Sequence, residues 1–308
     1  MNIVIIGAAG FIGTNLTLKL KQNKENHIAL VDRHLDYFVP EVEGENVELK
    51  QAVLNCDDDF KYLENQEVLY HLVSTTVPTT SNQHISQELQ ENVIFSSMLL
   101  EACVQYGVKK VVFISSGGTV YGKEVRCPLP EETPLKPISS YGLQKVAIEN
   151  LLYLYRHMYG LDYRIIRLSN PYGPHQRPNG VLGAVTTFTY KALNKETIEV
   201  YGDGSVVRDF IYIDDAIKGI IKIAENDGSK RTYNLGSGKG TSIKEVVDTV
   251  EKVIGDTEIV YKPGRAVDVP VNFLDISRYE KDYGRLELLS IEEGIKRTAE
   301  FMRTKDKK

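Results

Sequence analysis

Cysteine is scarce, long apolar runs are missing and basic charge is in deficit, and each shortage removes a class of protein. The three cysteines, Cys56, Cys103 and Cys127, are scattered and odd in number. That argues against a disulfide framework and fits a reducing compartment. No apolar run reaches the roughly 18 residues of a membrane span. Residues 1–13 are apolar but lack a basic leader and are broken by Gly7, Gly10 and Gly13, so they do not read as a signal peptide; a cytoplasmic location is expected. Lys and Arg number 37 against 42 Asp and Glu, a formal net charge of −5. A nucleic-acid binder carries a basic stripe instead, and the one lysine-rich run, 305–308, reads as a solvated end. The six histidines form no short-spaced cluster with one another or with cysteines, so no metal site is expected. Neither a membrane nor a nucleic acid is an expected partner. Internal repeats and low-complexity linkers are also missing.

What is present alternates. Apolar, β-rich runs at 2–6, 27–32, 47–53, 67–73, 109–115 and 163–168 are separated by helical patterns at 11–21, 87–106 and 140–159. Strands alternating with helices predict an α/β fold, a Rossmann-type doubly wound parallel sheet. Its strands are nearly continuous apolar runs, as expected when both faces are buried. After Asn170 a Pro- and Gly-rich stretch, 171–179, predicts a long loop. A helix at 182–194, strands at 199–201 and 210–212, a helix at 214–224 and a strand at 232–235 follow. Ser242 and Glu245 form a capping box that opens a helix to 253, and two shorter helical patterns complete the chain. The second half therefore interleaves with the first. The expected division is a dinucleotide-binding domain of 1–169 plus about 213–236, and a smaller α/β substrate domain of 170–212 and 237–308.

Gly7, Gly10 and Gly13 join the first strand to the first helix. Such glycines permit a tight turn and bring backbone N–H groups and the helix N-terminus to a pyrophosphate. Asp32 ends the second strand, about 20 residues on, where a carboxylate accepts hydrogen bonds from a ribose and repels a 2′-phosphate. NAD is therefore favoured over NADP, with the adjacent Arg33 softening the preference. Asp57 is either an adenine contact or one solvated acid of the run 57–59. The glycine-rich stretch 236–241 imitates a phosphate loop. However, Tyr233 stands where that motif needs a glycine, and Gly240 where it needs Ser or Thr.

Tyr141 and Lys145 stand one helical turn apart on one face of the helix 140–159. A phenol with a reference pKa near 10 costs roughly 4 kcal/mol to hold ionised at pH 7. One nearby positive charge lowers such a pKa by about 1–3 units, so Lys145 together with an oxidised nicotinamide is expected to make Tyr141 basic.

In this order the chain carries the glycine loop, Asp32, His71-Leu72-Val73-Ser74, Asn92, the run from Ser115 to Gly122, Tyr141-x-x-x-Lys145, the run from Arg167 to Pro174, Gly202-Asp203-Gly204, Arg208-Asp209-Phe210, Arg265 and Asp268. The set resembles the extended short-chain dehydrogenase/reductases over nearly the whole chain. Within them it is most similar to the NAD-dependent epimerase/dehydratase family and its UDP-hexose 4-epimerase branch. The resemblance implies an NAD enzyme in which Tyr141 takes the proton of a sugar 4-hydroxyl, a 4-ketose forms and turns over, and the hydride returns to the opposite face. It implies cofactor contacts from Gly7, Gly10, Phe11, Ile12, Gly13, Asp32, Arg33, Cys56, Asp57, Leu72, Val73, Ser74, Asn92, Ser115, Tyr141, Lys145 and Pro171. Asn170, Arg208, Arg265, Asp268 and Asn272 would hold a UDP-sugar. The helices 87–106 and 140–159 would pair across a two-fold axis in a homodimer.

The sequence departs from the family at one catalytic place. The usual Ser or Thr would fall at Gly117, so Thr119, in first preference, or Ser116 is expected to substitute. Sugar 4,6-dehydratases carry an Asp-Glu pair where this chain has Gly118 and Thr119, and elimination needs such an acid. Epimerisation survives that test. An NAD-dependent reductase of a nucleotide-linked keto-sugar shares the same residues, and a dinucleotide sensor without chemistry is a more distant alternative. Asn272 stands where many glucose/galactose enzymes carry a bulky Tyr, which suggests room for an N-acetyl group.

Overall fold

The Val- and Ile-rich runs become the middle of one parallel sheet, because their alternate side chains face two different cores. The structure is a computed structural model that describes residues 1–78, 81–123, 126–178, 183–264 and 269–305. The first half comprises β1 (Asn2–Ile6), α1 (Phe11–Leu20), β2 (His27–Asp32), β3 (Val47–Gln51), β4 (Val68–His71), α2 (Ile85–Leu89), α3 (Phe95–Tyr106), β5 (Lys110–Ser116), α4 (Ser140–Tyr159) and β6 (Asp162–Leu168). The second comprises β7 (Asn170–Tyr172), α5 (Ala184–Leu193), β8 (Ile198–Tyr201), β9 (Val207–Tyr212), α6 (Ile213–Glu225), β10 (Thr232–Leu235), β11 (Gly240–Ser242), α7 (Ile243–Ile254), β12 (Ile259–Lys262), β13 (Val271–Asn272), α8 (Ser277–Tyr283) and α9 (Ile291–Lys305).

Seven strands form the main sheet in the order β10-β6-β5-β4-β1-β2-β3. In β1, Ile3 and Ile5 enter one core with α1 and α6 residues, while Val4 and Ile6 enter a second with α3 and α4 residues. That alternation is the period-2 geometry of a strand buried on both faces. The strand order reverses between β1 and β4, which opens a crevice at the carboxyl ends of the strands, the general ligand position in such sheets. The strand at 232–235 returns to the main sheet and pairs with β6 in parallel.

The second half adds two small sheets, β11-β9-β13 with β7 also on β9, and β12-β8. Four of these strands, β7, β11, β12 and β13, were not anticipated. They are two to four residues long, too short for a periodic pattern. The predicted loop 171–179 thus begins as a strand.

The helix expected at 87–106 runs without a gap from 85 to 106 but changes its winding on the way. A π-helical turn spans Gln90–Ile94 between α2 and α3. The wider turn carries Asn92, whose amide donates to Glu88 O at 2.9 Å and to Thr75 Oγ1 at 2.8 Å, outside the helix. The capping box at Ser242 and Glu245 is present. The imitation phosphate loop does bind an anion, but the anion is the protein's own. The buried Asp209 carboxylate accepts from Ser237 N–H (2.7 Å), Ser237 Oγ (2.7 Å), Gly238 N–H (3.2 Å) and Leu274 N–H (3.2 Å).

Candidate active site

At the crevice the chain leaves β1 through Gly7, whose φ is +74°. A Cβ there would stand 3.0 Å from Val73 N, and on Gly13 it would stand 2.5 Å from Ala8 O. Both obstacles are backbone, so neither can step aside. Gly10 is the N-cap of α1 and supplies no side-chain cap. The N–H groups of Phe11 and Ile12 therefore remain at the positive end of the helix. Asp32 is fixed beside them: its carboxylate accepts from Ala9 N–H at 2.9 Å and Arg33 N–H at 2.8 Å. Leu72 N–H donates to Ile6 O at 3.1 Å, which holds the segment after β4 against the glycine turn. Asn92 clamps the same segment by also accepting Thr75 N–H at 2.9 Å, and Ser74 Oγ donates to Thr76 O at 2.9 Å.

Across the crevice α4 begins at Ser139, whose hydroxyl caps it by accepting Gly142 N–H at 3.2 Å. Tyr141, Lys145 and Glu149 follow on one face. Tyr141 is half-buried, and the Ser116 side chain lies close enough to its hydroxyl to favour ionisation. Lys145 is 6% exposed. Its Nζ donates to Ile114 O at 3.0 Å and lies 5.5 Å from the Tyr141 ring centre and 4.8 Å from that of Phe113. Burial lowers the Lys145 ammonium to about 8, with the Glu149 carboxylate opposing. Burial also pushes the Tyr141 hydroxyl up to about 12, with the Ser116 side chain opposing.

Without a cofactor the phenol is thus held protonated by its burial, while Lys145 donates to the Ile114 carbonyl. At that value ionising Tyr141 at pH 7 costs about 7 kcal/mol. The basic phenol was expected of Lys145 together with an oxidised nicotinamide, so that expectation belongs to the loaded protein.

The missing hydroxyl at 117 has a physical explanation. A Cβ on Gly117 would stand 2.6 and 2.9 Å from the two Leu274 methyl groups and 3.2 Å from Arg167 O. Leu274 occupies the space a serine would need. Of the two substitutes, Ser116 reaches Tyr141, while Thr119 Oγ1 is buried without a protein hydrogen-bond partner among the described residues.

The chain matches the NAD dependent epimerase/dehydratase family over residues 3–236. It belongs to that family. It is 32% identical over 309 residues to a putative UDP-glucose 4-epimerase of Methanocaldococcus jannaschii, covering 99% of both chains. Its fold is similar to that of a UDP-glucose 4-epimerase from Thermotoga maritima solved with UDP-glucose, at TM-score 0.90 and 34% identity over 99% of both chains. It is also similar to a UDP-N-acetylglucosamine 4-epimerase from Methanobrevibacter ruminantium M1, at TM-score 0.91 and 28% identity, over 99% of this chain and 98% of that one.

The family's NAD fits the residues present. The turn has no room for side chains at Gly7 and Gly13, the helix start is uncapped, and a fixed carboxylate lies next to them. This is a cradle for a pyrophosphate and a ribose without a 2′-phosphate. The chain is an NAD-dependent enzyme.

Other predicted residues are engaged within the protein. Ser115 Oγ donates to Glu149 Oε1 at 2.5 Å, turned from the crevice toward a buried ion pair. Cys56 is half-buried with its thiol 3.6 Å from Gln90 O. Asp57 is exposed, while its neighbour Asp58 is the structural acid, accepting Leu54 N–H and Phe60 N–H. Pro171 O accepts from Gln176 Nε2 at 3.2 Å. On the substrate side, Asn170 Nδ2 donates to Asp209 O at 2.8 Å. Arg208 Nη1 donates to Val207 O (2.8 Å) and Val269 O (2.6 Å). Asn272 is Arg208's register partner between β13 and β9. It is 2% exposed, with Nδ2 unpartnered among the described residues. Arg265 and Asp268 lie outside the described residues.

Sequence reasoning missed Glu149 and Leu274. Glu149 has a legible signal, the repeat of four from Tyr141 through Lys145. Leu274 has none, since only folding brings it to Gly117.

Proposed function

We propose that the protein is a UDP-sugar 4-epimerase working through a 4-keto sugar. The observation that carries this reading is Tyr141 one helical turn from the buried Lys145, whose Nζ lies 5.5 Å from its ring centre, with Ser116 at its hydroxyl and Gly118 and Thr119 where an eliminating enzyme needs its acid. Tyr141 takes the proton from the sugar 4-hydroxyl and later returns it. Ser116 orients that hydroxyl, and the unpartnered Thr119 Oγ1 is available to do the same. Lys145 holds positive charge against the developing phenolate, which the Tyr141 hydroxyl needs most because burial has raised it. NAD, when bound, would supply the hydride acceptor and a positive charge that favours the phenolate.

In this reading Gly7, Gly10, Phe11, Ile12 and Gly13 bind the pyrophosphate and Asp32 the adenosine ribose. Asn170 and Arg208 face the UDP, and the sequence assigns Arg265 and Asp268 the same ligand. The division into residues 1–169 with 213–236 for the cofactor, and 170–212 with 237–308 for the nucleotide sugar, belongs to the same proposal. We further propose a cytoplasmic homodimer. Leu143, Leu154 and Met158 form one stripe on α4 and are 45%, 45% and 57% exposed, with Ile94 51% exposed nearby in sequence to α3. An apolar stripe of this kind suits a second copy of the same helix pair.

The test is incubation with UDP-glucose, UDP-galactose and their N-acetyl counterparts at catalytic NAD⁺, with product separation. The expected result is interconversion of at least one pair, abolished in Tyr141→Phe. Stoichiometric consumption of NADH with a keto-sugar substrate would replace the reading by a reductase.

A further inference from the structure

Behind Lys145 lies a buried polar chain that the chemistry above does not use. Glu149 is one turn beyond Lys145 on the same face of α4 and is 6% exposed. Its carboxylate accepts Arg167 Nη2 at 2.6 Å, Arg167 Nε at 3.1 and 3.2 Å, and Ser115 Oγ at 2.5 Å. Arg167, also 6% exposed, reaches on to Tyr121 Oη at 3.1 Å and Glu131 O at 3.0 Å. Tyr121 Oη donates in turn to Asn234 Oδ1 at 2.6 Å. The chain ties the catalytic helix to β5, β6 and β10 at once. A buried ion pair is weak support for stability, since apolar residues of the same volume often serve as well or better. Its position one turn from a catalytic ammonium calls for a different explanation.

We infer that Glu149 is a positioning residue for the reaction, acting through Lys145: its carboxylate, held by the Arg167 fork and the Ser115 hydroxyl, keeps Lys145 charged and its ammonium in place against Ile114 O. The titratable groups facing Lys145 are Tyr141 and Glu149 on its own helix and His71 on β4, with Arg167 on β6 acting through Glu149. His71 is neutral, because burial and the Lys145 charge hold it far below its ordinary range. Among the described titratable groups, the carboxylate of Glu149 is then the one that favours the charged lysine. Burial already draws Lys145 down to about 8, so removing that carboxylate draws it lower still.

The inference rests on the epimerase reading for its meaning, and one arm of its test does not. In protein labelled at lysine Cε, the Lys145 signal is assigned by its loss in Lys145→Met and titrated by NMR. In Glu149→Gln its midpoint is expected at least one pH unit below that of the wild type, and in Glu149→Asp between the two. In the double variant Glu149→Gln/Arg167→Met, which does not leave the Arg167 guanidinium buried without its partner and controls for folding, the midpoint stays below the wild type. The second arm is epimerase activity. The alkaline limb of kcat should move to lower pH in Glu149→Gln, kcat at pH 7 should fall at least tenfold, and KM should change less than twofold. A Lys145 midpoint that is the same in wild type and Glu149→Gln overturns the inference, as does loss of activity accompanied by an unmoved pH profile. A wild type inactive on every UDP-sugar overturns the epimerase reading alone, and the titration still decides the role of Glu149.

Discussion

Adding one methyl group at Gly117 tests whether Leu274 excludes a side chain there. The built Cβ stands 2.6 and 2.9 Å from the Leu274 methyls, where carbon atoms in contact prefer about 3.5–4.0 Å. Leu274 is fully buried among Val120, Tyr121 and Leu129, so it has no free direction in which to move. Gly117→Ala should then cost about 1–3 kcal/mol by overpacking. Leu274→Ala alone should cost about 2–5 kcal/mol through lost burial and a cavity. Together the new methyl fills part of that cavity. The double variant should be less destabilised than the sum of the singles by at least about 1 kcal/mol, well outside the ~0.5 kcal/mol within which independent sites add. The hydrogen bond from Leu274 N–H to Asp209 uses backbone and survives in all four proteins. Urea unfolding followed by circular dichroism completes the cycle. Costs that add within ~0.5 kcal/mol, or a Gly117→Ala protein as stable as the wild type, would refute the steric explanation.

Three further outcomes follow from the same geometry. The Lys145 ammonium is disfavoured in the folded state, about 8 against an ordinary 10.5, so between those values the unfolded chain binds more protons. The wild type should gain stability relative to Lys145→Met by up to ~3 kcal/mol as pH rises from about 8 to about 10.5, with a constant gap below 8; parallel melting curves with no change in the gap would contradict the burial. Gly13→Ala drives a Cβ into Ala8 backbone and should weaken NAD⁺ binding at least tenfold by calorimetry, whereas an affinity within twofold of the wild type would remove the cradle argument. Leu154→Lys should convert a species of twice 34.7 kDa to a monomer in sedimentation, and an unchanged mass would place any dimer contact elsewhere.

Long, strongly periodic segments were legible in the sequence alone. The strands 2–6 and 27–32 and the helix 140–159 emerge with the predicted bounds, because local apolar patterning and the burial of both sheet faces demand the same thing. The glycine turn, Asp32 and the Tyr141–Lys145 spacing were legible for a related reason: each is a motif whose chemistry depends on neighbours in sequence. What only the tertiary structure decided are contacts between distant segments. Leu274 fills the place of a hydroxyl 157 positions earlier, Asp209 occupies the nest of the imitation phosphate loop, and Asn92 reaches Thr75 from a π-helical turn. The direction of the Tyr141 shift belongs to the same group. A sequence states which charges are near along a helix, but the cost of removing water from them is set by everything that packs around them.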